Sequence, residues 1–242
     1  MREISDERTD GLFALASQQD SKSRQKIRSQ RTDDSNRGKI NLLPITLICD
    51  GIKDAKIMGD VLKVALSSGC QQVYVMEGCV NIWNSSVLKR AAAAHFKIPI
   101  LPNQQWENME KLVSHEFPQS VFLSHGGENG STINDFTNDP EVTRIGKNSG
   151  VIETIKRESS VEFNSDEDIL VKGHIPPINL DEVVWPKKTN ILIVGDITFG
   201  AFSFAVKLQN RGANCRVIKL PLSVNGDMLT PTIEVSVLLF DA

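Results

Sequence analysis

From Pro44 onwards, short apolar runs alternate with segments whose apolar residues recur at helical spacing. The runs are rich in β-branched residues and are bounded by turn-forming residues, which is typical of buried strands in a parallel sheet. The pattern predicts strands at residues 45–49, 72–76, 98–101, 120–123, 190–194 and 215–220.

The intervening segments predict helices that begin near Asp54, Ser85 and Trp106. Asp and Ser are favourable N-cap residues, because their side chains accept hydrogen bonds from the first free backbone amides. Gly69 is placed to end the first helix, and residues 202–209 predict a further one. Strands that alternate with helices indicate an α/β fold, with a mostly parallel sheet and helices on both faces.

The first predicted helix has one apolar side, since four residues recur at spacings of three and four: Met58, Val61, Leu62 and Ala65. This spacing places them on a single face that can pack on the sheet. The last apolar stretch, residues 233–240, contains several β-branched residues, and intrinsic propensity alone favours a strand there.

Charge and polarity divide the chain into a polar start and a main domain. Residues 1–41 are polar and carry a net charge of +5 between residues 22 and 39. Such a run is either a solvated tail or an arm that contacts phosphates. The main domain, residues 42–242, contains an acidic insertion at residues 124–189 with a net charge of −5. An irregular segment of this length is either disordered or functional.

Composition limits the classes of function that fit this chain. With 242 residues, 40% of them hydrophobic, the chain can bury one substantial core. The net charge of −3 gives no overall attraction to nucleic acid, so RNA binding requires a local basic patch. No apolar run approaches the roughly 20 residues of a membrane span, so no membrane association is expected. The first residues are too acidic for a transit peptide and lack the apolar region of a secretory signal.

The cysteines and histidines show no spacing that indicates a metal site. The four cysteines form no CxxC pair, as expected of buried thiols in a reducing compartment. His95 stands beside Phe96 at the end of a predicted helix, where a packed or capping histidine is more common than a catalytic base. We therefore expect no metal.

Three motifs in the first half of the main domain occur together. A strand at Leu43-Pro-Ile-Thr-Leu-Ile-Cys-Asp-Gly leads into a helix with Gly59, and is followed by Gly78-Cys-Val-Asn-Ile-Trp83 and by Ala94-His-Phe-Lys-Ile-Pro99. With these motifs the chain resembles the TrmH/SpoU family of SPOUT RNA 2′-O-ribose methyltransferases. The resemblance covers roughly residues 43–123 and 189–241.

This resemblance implies a fold, a reaction and partners. The fold is an α/β sheet with a carboxy-terminal trefoil knot, in which residues 233–240 form the closing helix rather than a strand. The reaction transfers a methyl group from S-adenosylmethionine to a ribose 2′-hydroxyl of RNA, here ribosomal RNA, without a metal and without DNA as a partner. Family members are homodimers. The resemblance is strongest to mitochondrial members, which implies a mitochondrial location, whereas the chain without it would be placed in the cytoplasm. Residues 1–41 would be the remnant of an RNA-recognition domain.

The family's first motif, Asp-Pro-x-Asn-x-Gly-x-x-x-Arg, aligns with residues 54–63. Asp54 and Gly59 are kept, while Ile57 replaces the Asn and Lys63 replaces the Arg. The resemblance assigns RNA binding to Gly59 and Lys63, and a catalytic role to Lys63. A lysine keeps the positive charge but lacks the planar, bidentate donor of an arginine.

The family's cofactor motifs align with the last third of the chain. The glycine-rich turn that contacts S-adenosylmethionine corresponds to Gly195 through Gly200, with Ile197 in place of the family's acid. Leu220 and Leu229 match the positions that cradle the adenine. Glu234 replaces a small apolar residue near them, and a carboxylate there is costly unless it is paired or points outward.

Three functions are consistent with these motifs. The first is an S-adenosylmethionine-dependent RNA 2′-O-methyltransferase. The second is a catalytically silent relative that binds RNA or assists ribosome assembly, because several motif side chains are replaced together and each such group contributes on the order of a hundredfold or more in rate. A protein-binding module that uses the family's dimer face is a third reading.

Overall fold

The computed structural model of the chain describes residues 26–27, 29–30, 42–113, 117–124, 143–145, 152–154, 175–220 and 229–242. In chain order its strands are β1 (Leu43–Asp50), β2 (Cys70–Met76), β3 (Ile100–Gln104), β4 (Ser120–Ser124), β5 (Thr143–Ile145), β6 (Ile152–Thr154), β7 (Pro177–Asn179), β8 (Asn190–Gly195) and β9 (Asn214–Lys219). The α-helices are α1 (Ala55–Ser67), α2 (Ser85–Arg90), α3 (Trp106–Val113), α4 (Phe199–Asn210) and α5 (Pro231–Asp241).

Seven of the strands form one sheet in the order β3-β2-β1-β8-β4-β9-β7. Every pairing in this sheet is parallel. The remaining two strands, β5 and β6, form a separate antiparallel pair. The central strands β1, β8 and β4 are buried almost throughout, as expected of a parallel sheet that is covered on both faces.

Two apolar cores lie on opposite faces of the sheet. On one face, α1, α2 and α5 pack on alternate residues of the central strands, such as Leu47 and Leu192. On the other face, α3 and α4 pack on the intervening residues, such as Ile48 and Ile193. The predicted α/β fold, with a mostly parallel sheet between two helical layers, is therefore confirmed.

The predicted strands are all present, but the third begins later than expected. Residues 98–101 were the prediction, and β3 begins at Ile100. The backbone N–H of Ile98 donates to the carbonyl of Ala94 at 3.0 Å, so this residue closes the preceding helical turn instead of joining the sheet. Pairing with β2 starts at Ile100, which lies opposite Val73.

The first helix begins and ends as its residues predict. The Asp54 carboxylate accepts the N–H groups of Lys56 and Ile57 at 2.6 and 3.0 Å and caps α1. Gly69 follows the helix end with a φ of +84°. The apolar face that the sequence predicts on α1 is fully buried.

The cap of the second helix differs from the prediction. The side chain of Asn84 accepts the N–H of Ser86 at 2.8 Å, so Asn84 is the N-cap and Ser85 is already helical. An Asx side chain therefore takes the capping position one residue before the predicted serine.

The last apolar stretch is a helix, as the resemblance implies, so the strand that propensity alone favours is wrong. Thr230 is the N-cap of α5, and Pro231 occupies the first turn, where its missing N–H is not needed. Val235, Leu238 and Leu239 are buried and belong to the core formed with α1. Tertiary packing therefore outweighs the β-branched composition.

The described part of the acidic insertion contributes elements that the sequence did not predict. Strand β7 adds an edge to the sheet beside β9. Trp185 packs against Phe122 with ring centroids 4.8 Å apart, and Val183 also packs on the first core. Val184, by contrast, is 79% exposed.

Most of the polar segment 1–41 lies outside the described residues. In the part of the chain that the structure describes, no helix is both long and apolar enough to cross a bilayer.

Candidate functional site

The carboxyl ends of the central strands form the candidate site. Strand β1 ends at Asp50, β8 at Gly195, β4 at Ser124 and β9 at Lys219. From β1 the chain proceeds outward to β2 and β3, whereas β4 and β9 lie on the other side of β8. Ligands of open parallel sheets bind at the carboxyl edge where the strand order reverses in this way.

The turns that follow β1 and β8 press against each other at this edge. Gly195 has a φ of +109°, and a Cβ at this position would lie 2.1 Å from the Asp50 carbonyl oxygen. Gly51 has a φ of +66°, and its Cβ would lie 2.7 Å from the Cβ of Asp196. Only glycine fits either position, because both the backbone conformation and the available space exclude a side chain. These contacts within the chain explain why residue 195, which is one of the expected cofactor-binding residues, is a glycine.

A buried carboxyl connects the two turns. Asp50 is 1% exposed, and its Oδ2 accepts the N–H of Thr198 at 2.7 Å. Burial raises the pKa of Asp50 to about 6; hydrogen bonds from Thr198 and Trp106 oppose the rise, and the charge of Asp196 adds to it. Asp50 therefore fixes the turn that leads into α4.

The indole of Trp106 leaves no room for a side chain at Gly200. A Cβ on Gly200 would lie 2.1 Å from Trp106 Cδ1, so a side chain here would displace the ring. The same indole stacks at a tilt on Phe204 of α4, with centroids 5.3 Å apart. Ile197, which replaces the family's acid, is 6% exposed and belongs to the second core. The turn between Gly195 and Gly200 is thus held by packing on both sides.

The two leucines expected at an adenine site lie at the same edge. Leu220 directly follows β9, is half-buried and packs on the first core. Leu229 is also half-buried and precedes Thr230, the N-cap of α5. The chain thus leaves the sheet and enters its last helix next to the carboxyl end of β4.

Glu234 is buried and faces Ser124. Its exposure is 3%, and it lies in the first turn of α5. Burial raises the pKa of Glu234 to about 7, and the Ser124 hydroxyl partly opposes this by favouring the charged form. Neither Ser124 Oγ nor Glu234 Oε2 has a hydrogen bond of regular geometry among the described residues. The carboxyl points inward, which is the costly arrangement for an unpaired acid.

The expected RNA-binding residues lie elsewhere on the chain. Gly59 is buried between α1 and α2, where a Cβ would lie 2.5 Å from Arg90 Cβ and 2.9 Å from the Val87 carbonyl oxygen. Lys63 is exposed on α1. It lies eight residues beyond Ala55, or about 12 Å along the helix axis from the carboxyl edge. One chain alone therefore does not bring Lys63 to Gly195.

The histidine and cysteines in the described region pack in the interior. His95 is 1% exposed, its Nε2 lies 2.8 Å from the Ile82 carbonyl oxygen, and its ring is 5.2 Å from that of Trp83. Burial lowers the pKa of His95, as expected for a packed residue. The cysteines are free thiols. Within the described ranges, no group of three His, Cys, Asp or Glu side chains could hold a metal ion.

Two residues of this edge were not singled out from the sequence. Asp50 and Ser124 are each a polar residue at the end of a largely apolar strand. A polar residue at the carboxyl end of a parallel strand is a usable signal for a site. The proximity of Ser124 to Glu234 could not be predicted from the sequence, because it depends on the strand order and on the position of α5.

The chain is similar in sequence to vertebrate mitochondrial proteins. It is 30% identical over 210 residues to rRNA methyltransferase 3B, mitochondrial, of Danio rerio, across 82% of this chain and 46% of that protein. The chain therefore spans about half the length of the curated relatives it matches. No protein-family model matches it.

Solved structures share the fold. An AdoMet-bound rRNA methyltransferase from Sinorhizobium meliloti superposes with a TM-score of 0.50 at 12% identity, covering 81% of this chain and 54% of that one. The SpoU methyltransferase AviRb from Streptomyces viridochromogenes, in complex with AdoMet, gives a TM-score of 0.50 at 10% identity, covering 86% of this chain and 63% of that one.

Proposed function

We propose that this chain, a relative of the mitochondrial rRNA methyltransferase 3 proteins with the fold of the SpoU methyltransferases, is an S-adenosylmethionine-dependent RNA 2′-O-ribose methyltransferase that acts on ribosomal RNA. The observation that carries the proposal is the 30% identity along 82% of the chain, which is folded as a parallel sheet with a switch point at the carboxyl edge.

The carboxyl edge has residues that fit the cofactor. Leu220 and Leu229 would hold the adenine ring of S-adenosylmethionine. The turn from Gly195 to Gly200 would border the remainder of the cofactor. The unpartnered oxygens of Ser124 and Glu234 offer polar contacts at the same edge. When bound, S-adenosylmethionine supplies the activated methyl group, so the chain contributes binding and orientation.

The knot is part of this proposal. Leu220 follows β9, which lies next to β4, and Leu229 precedes α5. A carboxy-terminal trefoil knot, as the resemblance implies, would place both leucines in one site.

RNA would bind along the face formed by α1 and α2. Basic side chains are exposed there and outnumber the acids: Lys53, Lys56, Lys63, Lys89 and Arg90. Arg90 also forms an ion pair with Asp60, which joins the two helices. Such a patch supplies the local phosphate attraction that an acidic chain otherwise lacks. Within it, Lys63 takes the position of the family's catalytic arginine.

We further propose a homodimer that uses α5. Ile233, Val237 and Phe240 recur at helical spacing and are 47%, 39% and 67% exposed, so they form an apolar stripe on the outer side of this helix. A stripe on one helix can meet its own copy across a two-fold axis. Sedimentation should give a dimer for the chain and a monomer for Val237→Asp.

A mitochondrial location is proposed from the relatives, whose names place them in mitochondria.

The second candidate is a silent relative that binds RNA or assists ribosome assembly. Specific observations favour it: Ile197 is buried in the second core, and Ile57 packs on the first. Both residues replace polar side chains of the resembled family, and an isoleucine side chain cannot form a hydrogen bond.

Transfer of labelled methyl groups to ribosomal RNA separates the two candidates. The enzyme should produce 2′-O-methylated nucleotides, and Lys63→Ala should lower the rate at least tenfold while S-adenosylmethionine still binds. Lys207→Ala, an exposed lysine on the opposite helical layer, should leave the rate unchanged. Salt-dependent RNA binding without any transfer would instead identify the silent relative.

A further inference from the structure

A pair of buried polar groups faces each other where the carboxyl end of β4 meets the first turn of α5. Ser124 is 1% exposed and Glu234 is 3% exposed. Their facing oxygens, Ser124 Oγ and Glu234 Oε2, lack hydrogen-bond partners among the described residues. Buried polar groups are nearly always partnered in native proteins, because an unmatched one costs free energy. The pair therefore indicates a place for a ligand group.

Apolar residues flank this pair in the sheet and along the chain. Ser124 lies opposite Ile218 in β9, and Leu220 follows two residues later. Glu234 lies in the first turn of α5, and Leu229 lies just before that helix. A site with apolar walls and few polar groups suits a flat ring that carries few polar atoms.

We propose that Glu234, supported by Ser124, is a specificity-determining residue that reads the amino edge of an adenine ring. The inference rests on the proposed function, since it assigns this edge of the sheet to the adenosyl part of the cofactor. It concerns a side chain that replaces a small apolar residue of the resembled family.

The chemistry of a carboxyl matches this edge of adenine. Adenine presents an amine donor at N6 next to a ring acceptor at N1. A protonated carboxyl offers the reverse pair, because its carbonyl oxygen accepts from N6 and its hydroxyl donates to N1. A purine ring without the 6-amino group keeps the N1 acceptor but has no donor at C6, so the carbonyl oxygen of the carboxyl is left without a partner.

Burial supports this form of the side chain. The pKa of Glu234 is raised to about 7 by burial, against the smaller effect of the Ser124 hydroxyl, and no charged side chain contributes. The carboxyl is therefore mainly protonated at pH 6. At this pH it can donate as well as accept.

Calorimetry with two ligands that differ only in the base tests the inference. At pH 6, S-adenosylhomocysteine should bind the chain at least tenfold more tightly than its analogue without the 6-amino group, because a site built for a hydrogen bond rejects a ligand that cannot make it. Glu234→Gln should keep the preference, since an amide also offers one donor and one acceptor. Glu234→Ala should lose it, and Glu107→Gln, an exposed acid on α3, should not change it.

The outcomes separate this inference from the proposed function. Equal binding of the two ligands by the unmodified chain, or a preference that persists in Glu234→Ala, would overturn the role of Glu234 alone. Binding of neither ligand at millimolar concentration would overturn the proposed function and the inference together. The comparison on the unmodified chain needs no variant to fold.

Discussion

At the residue scale, two buried carboxyls make stability depend on pH. The pKa of Glu234 is raised from 4.5 to about 7, and that of Asp50 from 3.8 to about 6, in both cases chiefly by burial. The folded chain therefore holds these protons more tightly than the unfolded chain does. The contribution of these two groups to stability should be greatest below their ordinary pKa values and should be lost as the pH rises to about 7.

Glu234→Gln should remove one part of this dependence. Between pH 4.5 and 7 the ionisation of Glu234 should lower the free energy of unfolding by about 3 kcal/mol, and a neutral glutamine does not ionise. Chemical denaturation at pH 5 and pH 7.5 measures the difference. The variant should lose less stability than the unmodified chain over this range, and Glu107→Gln should behave like the unmodified chain. Parallel curves for Glu234→Gln and the unmodified chain would contradict the assignment.

Alanine substitutions at Gly195 and Gly212 distinguish the stability cost of a strained backbone conformation from that of steric crowding. Their φ angles are +109° and +102°, yet a Cβ on Gly212 would meet nothing within 4 Å. Gly212→Ala should cost about 1–2 kcal/mol, the strain of a side chain at positive φ. Gly195→Ala should cost clearly more, because its Cβ also meets the Asp50 carbonyl oxygen. Equal unfolding midpoints for the two variants would show that the contact is relieved cheaply.

The sequence singled out some of these residues but not their reasons. The resemblance implies that Gly195 and Gly200 are glycines because a cofactor approaches them. In the structure, the close approach of Asp50 to Gly195 and of Trp106 to Gly200 already explains both glycines. Glu234 was recognised as an unusual acid. Ser124, which Glu234 faces, was not, because the separation of the two residues in the sequence gives no hint that they meet.

At the element scale, the close approach of α1 and α2 depends on Gly59. Alanine in a helix interior normally stabilises relative to glycine by about 1 kcal/mol. At Gly59 the added methyl would press on Arg90 Cβ and the Val87 carbonyl oxygen, so the helices must separate.

Gly59→Ala should therefore lower the unfolding temperature, against the intrinsic preference. Ser203→Ala, in the half-exposed interior of α4, serves as the helix control and should be neutral or stabilising. Thermal unfolding measures both. A more stable Gly59→Ala variant would mean that the two helices are not in tight contact, and would favour a role of this glycine in binding RNA.

Elements with strong local signals were predicted well. The strands were found because β-branched runs are bounded by turns, and α1 because its cap and apolar face agree. Helix α5 was found only through the resemblance, since its buried side, which includes Val235 and Leu238, becomes apparent only against α1. Strand β7 has three residues and was missed, because so short a run carries little pattern.

At the scale of the whole molecule, the order of the strands creates the site. Local patterns give the strands but not their neighbours, and the insertion of β8 between β1 and β4 brings Asp50, Ser124 and Gly195 to one edge. This arrangement comes from contacts between distant parts of the chain, which the sequence pattern alone does not specify. The solved structures that resemble this chain share its overall fold.

The central claim is that this edge binds S-adenosylmethionine, and calorimetric titration of the chain with that cofactor tests it most directly. The account predicts saturable binding with a micromolar Kd. The absence of binding heat at millimolar ligand, from a chain that unfolds cooperatively, would contradict it.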